Sequence, residues 1–119
     1  MSLRLSAAAV CVLIATTATA GLYDNAGDLA EACRVAIDSR IAEDPTTIKA
    51  ALFVGCMGYV NGFWHGSYRG GAICWPSGLT PTRIATLFVA FMDANPHLRS
   101  EGPARPMRSA MSAAFPCAR

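Results

Sequence analysis

The chain has 119 residues, with 10 basic and 8 acidic side chains and a formal charge of +2. That leaves room for one domain and excludes the dense basic footprint of a nucleic-acid-binding protein. Five cysteines are present, and the four beyond residue 20 form an even set in a short chain, which points to disulfides rather than reactive thiols.

Met1-Ser2-Leu3-Arg4 is a short basic start, residues 7–15 are apolar, and Ala18-Thr19-Ala20 follows. That order is a secretory signal peptide, residues 1–20, with cleavage expected after Ala20. Thr16 and Thr17 interrupt the apolar run well short of the about 20 residues a membrane span needs. No membrane anchor is therefore expected after cleavage. Cys11 lies within the run and would leave with it; its early position behind Val10 disfavours an acylated lipoprotein. Residues 21–119 are the expected mature domain.

Helical periodicity dominates what remains, and the predicted fold is all-α, a small disulfide-stapled bundle of about four helices. The first helix is expected over about residues 25–41, capped by Asp24 or Asn25, with Leu29, Cys33, Ala36 and Ile37 as its buried stripe. Glu43-Asp44-Pro45 breaks it, because proline disfavours helical geometry in the preceding residue. A second helix starts with Thr46 or Thr47 as cap and runs to Phe63 or His65. Leu52, Cys56, Tyr59, Val60 and Phe63 share one face. Gly55, Gly58 and Gly62 each cost up to about 1 kcal/mol in a helix interior, which suggests a seam where backbones pack closely.

Residues 74–78 form a loop. Thr80-Pro81 opens the third helix, threonine as cap and proline at the first helical position. Ile84, Leu87, Phe88, Phe91 and Met92 supply its apolar face, and Asn95-Pro96 ends it. After a polar connection, a fourth helix spans about residues 104–115, with Met107, Met111 and Phe115 inward.

Three pairings of Cys33, Cys56, Cys74 and Cys117 are conceivable. Cys33 and Cys56 stand equally far before and after the turn near Asp44-Pro45. A constant rise of about 1.5 Å per residue brings them level on facing helices. Cys33–Cys56 is therefore favoured, leaving Cys74–Cys117. The spacings lack paired knuckles for zinc, so no metal site is expected. No cofactor is called for.

Catalysis is not expected either. His65 and His97 are the only histidines, no nucleophile has a base and an orienting group beside it, and the cysteines are spoken for. Acidic side chains dominate from Asp24 to Asp44 and arginines from Arg69 onward. The plainer reading is a solvated surface; the sharper is a dipolar molecule that docks an oppositely patterned partner or itself. Trp64, Tyr68 and Trp75 either fill core near the second disulfide or form a partly exposed patch suited to a protein interface.

Four segments then carry a resemblance. Cys56-Met57-Gly58-Tyr59-Val60-Asn61-Gly62, Cys74-Trp75-Pro76-Ser77-Gly78-Leu79-Thr80, Phe91-Met92-Asp93-Ala94-Asn95-Pro96 and Ala113-Ala114-Phe115-Pro116-Cys117, with Cys33 upstream, resemble the Rap/Tai family of type VI secretion immunity proteins. The resemblance covers nearly all of residues 21–119. It implies a small helical periplasmic protein, often a homodimer, that binds and blocks a peptidoglycan amidase effector. The candidate inserting segment is the 95–102 connection, with His97, Arg99 and Glu101 as polar contacts; the plainer reading is an ordinary solvated connection. The alternative is a periplasmic stress or chaperone-like helical protein with no dedicated toxin.

Overall fold

The computed structural model describes residues 23–38 and 47–118. The expected signal peptide, the Glu43-Asp44-Pro45 break and a cap at Thr46 lie outside the described residues. Within them the fold is all-α, built from α1 (Ala26–Ile37), α2 (Thr47–Ser67), α3 (Pro81–Ala94) and α4 (Ala104–Ala114).

Local chemistry explains most of the helix ends. Asn25 is extended and its Oδ1 accepts from the Asp28 N–H at 2.8 Å, which places the Asp28 carboxylate in the positive first turn. α1 stops at Ile37, earlier than the expected 41, and Asp38 is already extended at ψ 116°. An aspartate there opposes the negative helix end and is a poor helix former. α2 instead runs past its expected end to Ser67, whose hydroxyl donates to the Phe63 carbonyl at 2.6 Å. Thr80 Oγ1 accepts from the Arg83 N–H at 3.2 Å, with Pro81 beginning α3. Beyond Asn95 the chain makes a 3-10 turn, Pro96–Leu98, within the expected polar connection. Proline suits the first position of such a turn as well as it ends the helix before it.

α1 lies at the centre and meets all three other helices. Ala26, Leu29, Ala30, Ala32 and Cys33 are fully buried. So are Cys56 and Val60 of α2, Ile84, Ala85 and Phe88 of α3, and Met107 and Met111 of α4. Full burial of side chains such as Leu29, Ile84 and Phe88 contributes about 1.5–3 kcal/mol each.

The glycine seam is not found. Gly58 and Gly62 are exposed, and a Cβ added at either would meet nothing within 4 Å; Gly55 alone is buried. The reason is angular. Two residues are about 200° apart around a helix, so Gly58 and Gly62 point away from the face that buries Cys56 and Val60. Glycine is needed elsewhere, at Gly71 and Gly78, whose φ angles are 69° and 75°.

Two disulfides staple the bundle. Cys33–Cys56 joins α1 to α2 with Cα atoms 5.0 Å apart, both residues fully buried. Cys74–Cys117 ties the segment after α2 to the segment after α4, also with a Cα separation of 5.0 Å, and Cys74 is exposed. The Cys74 N–H donates to the Phe115 carbonyl at 3.1 Å beside it. In the chain-entropy model each closure contributes roughly 3–4 kcal/mol.

Thiol–disulfide exchange requires a thiolate to reach a sulfur, so access should separate the two bonds. Under limiting dithiothreitol in native buffer, alkylation and peptide mapping should find Cys74 and Cys117 free at least about tenfold sooner than Cys33 and Cys56. Simultaneous opening of both would contradict the burial difference.

Candidate functional site

The 95–102 connection is welded to the start of α1. The first amides of a helix have no partner within it, and here the connection's carbonyls accept from them. The Ala26 N–H donates to the Glu101 carbonyl at 2.7 Å and the Gly27 N–H to the Arg99 carbonyl at 2.9 Å. Internal bonds stiffen the segment. Leu98, Arg99 and Glu101 donate to the carbonyls of Asn95, Pro96 and Leu98 at 3.0, 3.2 and 3.1 Å. Asn95 Nδ2 donates back to the Phe91 carbonyl at 2.8 Å. Gly27 permits the approach. A Cβ there would stand 3.2 Å from Arg99 Cβ, Nε and carbonyl oxygen.

Charge reinforces the joint. Arg99 reaches Glu31 Oε1 at 3.2 Å, and Arg34 Nε lies 3.7 Å from Glu31 Oε2. Arg34 also donates to both oxygens of Asp93, at 2.5 and 3.3 Å. A chain of four charges therefore links the connection, α1 and α3. The hydrogen bonds from Arg34, with the positive charges of Arg34 and Arg99, hold the Asp93 carboxyl below the usual range. Its partner Arg34 is raised correspondingly. All four side chains are about half exposed, so each pair is a modest contributor.

The three residues proposed from sequence therefore differ in situation. His97 is exposed in the 3-10 turn, Arg99 is committed to Glu31, and Glu101 lends its carbonyl to α1. The aromatic candidates also divide. Trp64 and Trp75 come together, centroids 6.2 Å apart, with Phe63 and Phe115 packed on Trp75 at 6.4 and 5.8 Å. The indole N–H groups of Trp64 and Trp75 are buried without a hydrogen-bond partner. Tyr68 stands apart and is 66% exposed. His65 is exposed and stacks on Trp64 at 5.6 Å.

Two features escaped the sequence. Two grooves lie between α2 and the α4 side of the bundle. One is lined by Tyr59 and residues 101–105, the other by Gly62, Phe63, Gly66, Ser67, residues of the 70–73 segment and Arg108. The outer face of α2 also leaves Ile48, Val54 and Phe53 exposed, at 75%, 66% and 39%. The near absence of charge in α2 was the signal for the second; nothing in linear spacing signals the first. Among the described residues no His, Cys, Asp or Glu cluster could hold a metal ion, and no helix is long and apolar enough to cross a membrane.

A family model, that of the Rap1a immunity proteins, matches residues 25–117. No curated protein and no solved structure matches the chain.

Two measurements check the joint. Replacing Gly27→Ala should speed hydrogen exchange at the amides of residues 26 and 27 and lower the melting temperature, although alanine is the better helix former by up to about 1 kcal/mol; unchanged protection would contradict the close approach. Asp93 has a folded-state pKa below its unfolded value of about 3.9, so its contribution is complete above that pH and vanishes as pH falls through the folded value. In Arg34→Gln, NMR titration should find Asp93 back near the ordinary value. The melting-temperature gap from wild type, present at neutral pH, should close in acid.

Proposed function

The chain belongs to the Rap1a immunity protein family, and from that premise we propose that it is a periplasmic inhibitor of a peptidoglycan amidase delivered by a type VI secretion system. One observation carries the proposal. The family match spans residues 25–117, the whole bundle together with all four cysteines of its two crosslinks. The signal-like order of residues 1–20 and the need of such crosslinks for an oxidising compartment support export. An inhibitor stationed there meets the enzyme where the wall is attacked.

Binding suits what the bundle offers. A segment already fixed in shape loses little entropy on association, and the 95–102 connection is so fixed on both backbone and side-chain levels. In the proposed complex His97 contacts the effector directly, while Arg99 and Glu101 combine contact with holding the turn against α1. The homodimer implied by the resemblance would cover Ile48 and Val54 on α2. The same exposed face is what favours the second reading, a stress protein that binds many unfolded clients. The two part on stoichiometry: an inhibitor takes one partner in fixed ratio at neutral pH, and a client-binding protein takes many, increasingly on acidification.

The test is reconstitution with the small amidases of the native host. One of them should form a stoichiometric complex and lose its hydrolytic activity on purified peptidoglycan. His97→Ala should weaken that complex at least about tenfold, the usual cost of losing one well-placed contact, with unchanged circular dichroism, and His97→Ala/Arg99→Ala/Glu101→Ala more. Full activity of every amidase at excess inhibitor would overturn the proposal.

A further inference from the structure

We propose that the seam between α2 and α4 is a separate docking surface that takes a carboxylate-bearing segment of the protein partner; it rests on the reading that the partner is a protein.

The two grooves, of about 500 and 540 Å³, follow the same pair of helices. Along α2 their lining passes from Tyr59 to Gly62, Phe63, Gly66 and Ser67; along α4 it passes from Ala104 and Arg105 to Arg108. They therefore lie end to end, open to solvent, and the space suits an extended or helical segment rather than an enclosed small molecule.

Charge selects the occupant. Arg105 and Arg108 are one helical turn apart, both exposed, each lining one groove, and among the described residues neither forms an ion pair or side-chain hydrogen bond. Arg34 and Arg99, by contrast, are both neutralised within the fold. Glu101 lines the Tyr59 groove but makes no ion pair with Arg105, and among the described residues it is the sole acid lining either groove, so the seam stays net positive. The Ser67 hydroxyl is occupied by the Phe63 carbonyl, which leaves the two guanidiniums as the seam's charged donors, beside the Tyr59 hydroxyl. A guanidinium binds a carboxylate through two parallel hydrogen bonds. The opposite wall is low. Gly62 and Gly66 have open space where a Cβ would be, so a partner's backbone can come close while its apolar side chains meet Phe63 and Ile73. Two carboxylates a helical turn apart, about 5–6 Å, match the spacing of the arginines.

The experiment uses a capped, alanine-based helical peptide carrying two glutamates three residues apart, titrated into the ¹⁵N-labelled mature chain. Amide signals of Gly62, Gly66, Arg105 and Arg108 should move together, and the glutamine version of the peptide should leave them still. Arg105→Gln/Arg108→Gln should weaken binding at least about tenfold, as loss of two charge-assisted contacts requires. Arg83→Gln, which removes another exposed arginine away from the seam, should not. An equal response to the glutamine peptide, movement on another face, or no response up to about 5 mM would overturn the assignment. So would the same signals moving when the protein alone is concentrated, which would make a second copy the occupant. No effector is present in the titration. Its failure would therefore remove the seam and leave the amidase proposal standing, and a bound peptide with no inhibited amidase would do the reverse.

Discussion

Small side chains on α1 decide how near the rest of the molecule can come. Ala26, Gly27, Ala30, Ala32 and Ala36 are buried together with Leu29 and Cys33, and α2, α3 and α4 all pack on that one helix. A helix enclosed on several sides cannot leave its first amides to water, and a buried amide without a partner costs about 1–3 kcal/mol. The carbonyls of Arg99 and Glu101 resolve that problem. The 95–102 connection is therefore part of the core's hydrogen bonding although it lies on the surface. Cys33, on the same helix, adds the covalent tie to α2.

This arrangement divides the surface electrostatically. Where α1 meets the connection and α3, Arg99, Glu31, Arg34 and Asp93 neutralise one another in sequence. Such a region fixes geometry and has little charge left to attract a partner. Along α4, Arg105 and Arg108 have no counterpart among the described residues. The excess of arginine in the second half of the chain is thus unevenly spent: Arg99 is paired, whereas Arg105 and Arg108 stand unpaired beside the grooves. Steering and recognition depend on unsatisfied charge, so the two regions are suited to different tasks, one to presenting a rigid turn and the other to attracting a segment.

The division explains what the sequence could and could not disclose. Helix content, the Thr80-Pro81 start of α3, the Asn95 stop and the inward methionines of α4 are local matters, written in caps and periodicity. The Cys33–Cys56 pairing needed only equal distances from one turn. What escaped depends on partners remote in sequence. Nothing near Arg99 announces that its carbonyl will face Gly27, some seventy residues earlier. The glycines of α2 suggest a packing seam because each costs helix stability, and that cost alone does not say which way they face. Periodicity does mark the face of Leu52, Cys56, Tyr59, Val60 and Phe63, which packs inward, and by the same angular rule Gly58 and Gly62 fall off that face. The Arg105 and Arg108 pair looked like ordinary solvated charge until α2 was placed opposite it.

The outer crosslink fits the same logic. α2 and α4 make little direct contact, so ordinary side-chain packing does not hold that side of the bundle closed. Cys74 follows α2 and Cys117 follows α4. Their bond spans the end of the seam, with Phe63, Trp75 and Phe115 packed beside it. A covalent bridge there does what helix–helix packing does elsewhere, but without filling the space between the helices. Packing the seam shut with large side chains would have stabilised the bundle and removed the grooves. Stapling its end keeps the walls in register while leaving the space free for a partner, which is where a small rigid binder has most to gain.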